Sequence, residues 1–333
     1  MRWVLKLLGG TAIFVAVCLL CSGAYQWYVV SHFESTFPYP GELVDVGGHS
    51  LHLNCSGNGA GRTVILEAGS GMWSLDWHEV QRRVSQFTAV CSYDRAGHGW
   101  SEFGDEPRTI DRLVEELGVL LDAADLPPPY LMVGASFGGS IVQLYEHRHP
   151  EKVAGIVLVD ARPKGYTAAL REIVPEAVDA MTEERAFVSG LFDWGLVSII
   201  LKLQGPFTFS EQPEHLARVY AHAGRLTKHT AAHARELSVD SISDDQMQLI
   251  GSIGNKPLTV IVHGEKTMFR DQLGLTDEEA MRMEAIWIEQ QKQLLKLSSR
   301  SELLVAETSG HLVHQDQPDL IVDAIRRHTL GLL

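Results

Sequence analysis

The sequence predicts an α/β fold: a mostly parallel sheet covered by helices on both faces, interrupted by a helical insertion and preceded by a transmembrane helix. Three observations lead there. Strand-like and helix-like segments alternate along most of the 333 residues, and such alternation requires parallel strands joined by crossover helices. Residues 63–67, 88–93 and 153–159 are near-continuous apolar runs, the pattern of strands buried on both faces. Finally, Gly134-Ala135-Ser136-Phe137-Gly138 separates the apolar run 130–133 from a helix-like stretch beginning at Ser140. That places a sharp strand-to-helix turn in the middle of the alternation.

Taken in order, the first segment is residues 1–35. Arg2 and Lys6 precede residues 7–30, which contain no Asp, Glu, Lys or Arg. Such a stretch in a helix rises about 36 Å, against a bilayer core of about 30 Å. Tyr25, Trp27 and Tyr28 fall at its far end, where aromatic rings favour the interface. The expectation is a single-pass membrane protein with a cytoplasmic N-terminus and an exported catalytic part. The alternative is a signal peptide cut near Ser22-Gly23-Ala24, leaving a secreted or periplasmic protein. A Pro-containing linker, Thr36-Phe37-Pro38-Tyr39-Pro40, leads into a hairpin of residues 43–46 and 50–54 across Gly47-Gly48. The strand 63–67, a helix over 75–87 and the strand 88–93 follow. The next helix, 110–124, has apolar residues at 110, 113, 114, 117, 120 and 121, a 3.6-residue period. It ends before Pro127-Pro128-Pro129. The elbow strand, its helix to His149 and the strand 153–159 complete the first half.

From about 163 to 253 the pattern is helical without a clear strand. Strand 258–262 resumes the alternation. Helix 276–297 opens on Thr276-Asp277-Glu278-Glu279, a capping box. Strand 302–306 and helix 320–328 end the chain. Residues 36–162 and 254–333 thus form the core, and 163–253 a helical cap.

The chain is 45% apolar and 21% charged, enough for one large domain with an insertion. Lysine plus arginine is 28 and aspartate plus glutamate 42, a difference of −14. So acidic a surface repels phosphate backbones and argues against a nucleic-acid partner. Of the four cysteines, Cys18 and Cys21 lie in the N-terminal apolar segment. Cys55 and Cys91 form either a disulfide, if that part is exported, or two buried thiols. His222, His229 and His233 lack a carboxylate or cysteine in ligand spacing, so no metal site is expected. Gly97-His98-Gly99 is not a dinucleotide fingerprint, and no cofactor is expected.

Chemistry centres on Ser136. Glycines two before and two after it let backbones pass closely, and the turn lifts its hydroxyl above the sheet with a helix N-terminus beneath. That marks a nucleophile; the plain alternative is a glycine-rich turn with an inert serine. The elbow, the strand order and a late histidine resemble the α/β-hydrolase fold. Glu67-Ala68-Gly69-Ser70-Gly71, Tyr93-Asp94-Arg95-Ala96-Gly97-His98-Gly99-Trp100-Ser101 and Ser309-Gly310-His311 resemble recurring motifs of that family. The resemblance runs from about residue 41 to the C-terminus, with the insertion where the family's cap sits.

The resemblance implies a Ser-His-Asp triad. His311, after the last strand, is the expected base, ahead of His314. In the family the acid often follows the seventh strand in a Gly-x-x-Asp pattern, but here the line reads His263-Gly264-Glu265-Lys266-Thr267. Other members place it after the sixth strand, where Asp160 stands. Asp160 is therefore the expected acid and Glu265 the alternative; a helix cap or a partner for Arg162 is the structural role Asp160 could have instead. The oxyanion donors would be the N–H groups of Phe137 and, by the match to His-Gly-x-Gly, Ser70. Asp94 and Arg95 read as structural, His98 as a turn residue at the pocket rim, and Trp73, Trp77, Trp100 and Trp194 as pocket walls. The apolar stretch 194–201 would line an acyl pocket, touch a membrane, or form a buried cap helix. The implied activity is hydrolysis of a small ester-like substrate, apolar or acyl-bearing, through an acyl-enzyme; peptidase activity uses the same residues. The other classes are an acyltransferase on the same triad and a ligand-binding receptor of the same fold.

Overall fold

The computed structural model describes residues 2–58, 61–175, 214–223, 227–265, 270 and 275–333. The stretch 194–201 with Trp194, and Lys266 and Thr267, lie outside the described residues. Strands β1 (Glu42–Asp45) and β2 (Ser50–Ser56) form the hairpin. They are followed by β3 (Val64–Glu67), β4 (Val90–Tyr93), β5 (Tyr130–Ala135), β6 (Val153–Val159), β7 (Leu258–His263) and β8 (Ser301–Ala306). The order across the sheet is β1-β2-β4-β3-β5-β6-β7-β8. The two pairings of β2 are antiparallel and every other pairing is parallel, so the eight-stranded sheet is mixed.

Alternate side chains of the parallel strands go to opposite faces, which is why both faces needed apolar residues. Ile65 and Met132 join one core with Leu113 and Leu117 of helix α3 (Ile110–Ala123) and Ile141 of α4 (Phe137–Arg148). Their chain neighbours Leu66 and Val133 join the other, with Val80 of α2 (His78–Val84) and Ile321 and Ile325 of α11 (Pro318–Thr329). Between β6 and β7 the described residues hold four helices: α5 (Tyr166–Ile173), α6 (Glu214–Ala223), α7 (Thr227–Ser238) and α8 (Asp240–Met247). After β7 come α9 (Asp277–Leu294) and, beyond β8, α10 (Val313–Asp316). Cys55 and Cys91, opposite each other in the β2–β4 register, are joined by a disulfide.

The N-terminal segment departs from expectation. Residues Arg2–Thr36 form one helix, α1, of 35 residues. Among the described residues, however, no helix is long and apolar enough to cross a membrane. The transmembrane helix, the membrane partner and the single-pass localisation are therefore not upheld. Counting missing charges overstated apolarity: Gly9, Gly10, Thr11, Ser22, Gly23 and Gln26 are uncharged yet gain little on transfer to hydrocarbon. At its last turn, α1 packs Phe33 against Trp100. The expected helix over 75–87 is also split, into a 3₁₀ turn Ser74–Trp77 and α2.

Candidate active site

Four adjacent strands, β3, β5, β6 and β7, end on one edge at Glu67, Ala135, Val159 and His263. Ser136 follows β5 directly, with φ 50° and ψ −120°. A non-glycine residue at positive φ is strained by about 1–2 kcal/mol. Hydrogen bonds hold it there: Ser136 N–H donates to the Val159 carbonyl (3.0 Å), and the Ser136 carbonyl accepts from Arg162 N–H (2.9 Å) and Gly139 N–H (3.0 Å). The flanking glycines are needed for clearance. A Cβ on Gly134 would stand 2.5 Å from the Gly138 carbonyl oxygen, and one on Gly138 2.5 Å from that of Glu67.

The Ser136 Oγ lies 2.9 Å from His311 Nε2. On the other side of the ring, Nδ1 is 2.5 Å from Asp160 Oδ2. His311 comes from the loop after β8. Asp160 is the residue after β6, at φ 42°, with its N–H on the Ile261 carbonyl at 2.7 Å. Its carboxylate is fully buried and accepts further N–H donors: the His263 ring (Nδ1, 2.8 Å), the Trp287 indole (2.9 Å) and the His263 backbone (3.3 Å). Burial alone would raise the Asp160 pKa; the hydrogen bonds from His263 and His311, and their positive charge, hold it well below the usual carboxylate range.

Glu265 is exposed; its N–H donates to the Ser309 carbonyl (3.1 Å) and its carboxylate lies near Gly310. His314 is buried against Trp77, away from the Ser136 hydroxyl, and burial lowers its pKa to about 3. Arg162 pairs with Asp240 and Asp244 of α8, which leaves Asp160 to the histidines.

Ser70 lies on the loop after β3. A Cβ on the preceding Gly69 would be 3.4 Å from Ser136 Cβ, which shows how closely that loop passes over the elbow. Among the described residues, neither Ser70 N–H nor Phe137 N–H donates to a backbone carbonyl. Buried Arg95 braces the loop from below, donating to the Ala68 and Gly69 carbonyls (both 2.8 Å) and to Glu67 and Glu236. From above, α7 places His233 Nε2 on Ser70 Oγ (3.0 Å) and His229 Nε2 on the Gly71 carbonyl (2.8 Å). His98 is not at a rim: it is fully buried beside His229 and Glu236. Trp73 and Trp77 are buried core residues, while Trp100, also buried, forms a cavity wall. A cavity of about 690 Å³ opens between the 36–40 strap, α2 and α6, lined by Phe37, Leu75, Trp100 and Leu216, and includes none of Ser136, His311 or Asp160.

Sequence reasoning missed His263, Glu284 and Trp287. A signal existed for the first: a histidine closing an apolar strand, beside the strand that leads into Asp160. Glu284 and Trp287, three apart on α9, share a helix face that reads as ordinary amphipathic periodicity.

A fold of this topology, with a serine at its central elbow, defines a class of α/β enzymes. The sequence pattern of the Alpha/beta hydrolase family matches residues 51–324, and the chain belongs to that family. It is 26% identical to the uncharacterized protein YqjL of Bacillus subtilis, over 84% of this chain and 88% of that protein. Proline iminopeptidase PfmaB of Pestalotiopsis fici is 22% identical, over 86% and 98%. Lipase LipV of Mycobacterium tuberculosis is 30% identical over a shorter stretch, 37% of this chain and 46% of that one. Among solved structures, a probable hydrolytic enzyme from Pseudomonas aeruginosa is superposable with a TM-score of 0.64 at 17% identity, covering 88% and 95%.

Proposed function

We propose that the protein is a serine hydrolase that cleaves an uncharged, acyl-bearing ester through an acyl-enzyme on Ser136. The observation that carries this is the continuous line from Ser136 Oγ to His311 Nε2 at 2.9 Å and from His311 Nδ1 to Asp160 at 2.5 Å. His311 takes the serine proton as Oγ bonds to the substrate carbonyl carbon. The oxyanion is held by the N–H groups of Ser70 and Phe137. The tetrahedral intermediate collapses, the ester C–O bond breaks, and the alcohol leaves with the proton from His311. Water then repeats the sequence: His311 takes its proton, the acid departs, and Ser136 regains its hydrogen. Asp160 holds the ring with Nε2 towards the serine and stabilises the imidazolium.

The aromatic surroundings support an apolar substrate. Trp287 stands edge-on to His311 at 5.6 Å between centroids and Tyr166 edge-on to Trp287 at 5.5 Å. The lipase-named relative favours an ester; the iminopeptidase-named one, aligned over nearly its whole length, favours cleavage of an N-terminal residue as a second reading. The test is labelling with a fluorophosphonate probe, with the adduct mapped. Wild type reacts at Ser136, Ser136→Ala and His311→Ala do not, and Asp160→Asn slows labelling on the order of 10,000-fold. Glu265→Gln labels like wild type. A protein that takes no adduct on Ser136 would sink the proposal. Hydrolysis of p-nitrophenyl acyl esters against prolyl anilides then separates esterase from peptidase, and added alcohol reveals any transfer to an acceptor.

A further inference from the structure

The polar line does not end at the acid. Beyond Asp160, His263 Nδ1 is 2.8 Å from the same carboxylate oxygen that His311 contacts, and His263 Nε2 is 2.9 Å from Glu284 Oε1. We infer that His263, held by Glu284, is a positioning residue that fixes Asp160 and screens part of its charge from His311, so setting the pH at which the serine is activated. This rests on the reading of Ser136, His311 and Asp160 as a triad.

The proton positions follow from donor chemistry. The Trp287 indole and the His263 backbone N–H are donors only, so Asp160 Oδ1 accepts from both. His311 must donate from Nδ1 if Nε2 is to accept from Ser136. Asp160 is thus ionised, and His263 donates to it from Nδ1. At the far nitrogen, a bare ring lone pair facing a carboxylate oxygen at 2.9 Å would repel it, so a proton occupies that contact. On the nitrogen, it makes His263 an imidazolium between two carboxylates. Burial opposes that charge, but the hydrogen bonds to Asp160 and Glu284 outweigh it and raise the His263 pKa to about 10. Other titratable or charged groups near the chain include His314 beside His311, Asp316 accepting from Ser309 Oγ and Gly310 N–H, Tyr166 behind Trp287 with Arg162 over its ring, and exposed Glu265 near Gly310.

A positive ring on Asp160 reduces the stabilisation that Asp160 lends to the imidazolium form of His311. The base is then free at a lower pH than an unscreened carboxylate would allow. Loss of the Glu284 charge lets His263 shed its extra proton, and the full field of Asp160 falls on His311.

The test measures the rate of fluorophosphonate labelling at Ser136 between about pH 5 and 9, the range that brackets histidine titration. Glu284→Gln, nearly isosteric, should move the acid midpoint upward by on the order of one pH unit while the plateau rate is largely kept. His263→Gln retains a donor for Asp160 without the charge and should move it the same way. A merely structural role would lower the plateau or the melting temperature and leave the midpoint in place, and that result overturns the inference. The unmodified protein supplies a further check: ring ¹⁵N spectra should show one histidine still doubly protonated near pH 8, and its absence is equally fatal. Wild-type protein that does not label at Ser136 overturns the triad reading and this inference together; labelling with an unmoved midpoint overturns the inference alone.

Discussion

Ser136 and Asp160 are both held at positive φ, 50° and 42°, where a side chain crowds its own backbone. Each is pinned by an N–H bond to the next strand of the sheet, to Val159 and Ile261 respectively. The strain is therefore carried by the sheet and depends on how closely the turns nest. Gly138 offers a test because backbone atoms alone stand nearest to it. An added methyl would meet the Glu67 and Ala68 carbonyl oxygens at 2.5 and 2.6 Å, both rigid backbone atoms. Gly138→Ala should cost about 1–3 kcal/mol in urea unfolding, as overpacking does, and should slow probe labelling by displacing the loop that carries Ser70. Wild-type stability with wild-type labelling would refute that account. Ser136 and His311 were legible because local motifs mark them. Asp160 was legible only as one of two choices, since strand-end carboxylates are common and only tertiary distance selects among them. His263, Glu284 and Trp287 were not legible. They come from separate elements, and their shared target, Asp160, exists only once β6, β7 and α9 have packed.

At the scale of elements, buried strands announced themselves through unbroken apolar runs, and their order needed only the alternation with helices. What failed were properties that depend on context. The 75–87 helix breaks because Asp76 bonds back to the Trp73 N–H at 2.9 Å, which tightens the first turn. Helix α7 has a low-hydropathy sequence, so nothing in its pattern predicts that His229, His233 and Glu236 line one face and grip the loop after β3 and Arg95. The β2–β4 edge carries the covalent link. Cys55 and Cys91 close a loop with a sequence separation of 36, and constraining a loop of that length in the unfolded chain is worth about 2–4 kcal/mol. A Cys55→Ala/Cys91→Ala double variant should melt at a correspondingly lower temperature. The bond lies on the hairpin side of the sheet, away from the elbow, so labelling at Ser136 should persist below the melt. Unchanged stability would mean that packing of β2 against β4 already supplies the constraint.

Over the whole molecule, ionisable groups buried away from water set how stability responds to pH. Burial is the leading cause for four histidines held neutral: His98 well below its ordinary value, His229 lowered, His314 at about 3 and His328 at about 4. In the unfolded chain each takes a proton near pH 6.5. Two carboxyls work the other way. Burial raises Glu67 to about 7 and Asp76 to about 6, so the folded state binds those protons first. His263, raised to about 10, is protonated in both states through this window and drops out. Between about pH 4.5 and 6.5 the unfolded state therefore holds up to four extra histidine protons and the folded state up to two extra carboxyl protons. The lowered histidines outnumber the raised carboxyls, so acidification through this window favours unfolding. Above pH 6.5 the folded state keeps protons on His263, His52 and Glu67 that the unfolded chain sheds, so stability declines as pH rises. The melting temperature should thus peak near pH 6.5 and fall on either side of it. His314→Gln removes one titrating group, so it should flatten the acid slope by about 1.4 kcal/mol per pH unit, whatever it costs at neutral pH. Melting curves that stay level from neutrality down to about pH 5, or a slope indifferent to His314, would show that water reaches these histidines and that the interior is less dry than its packing implies.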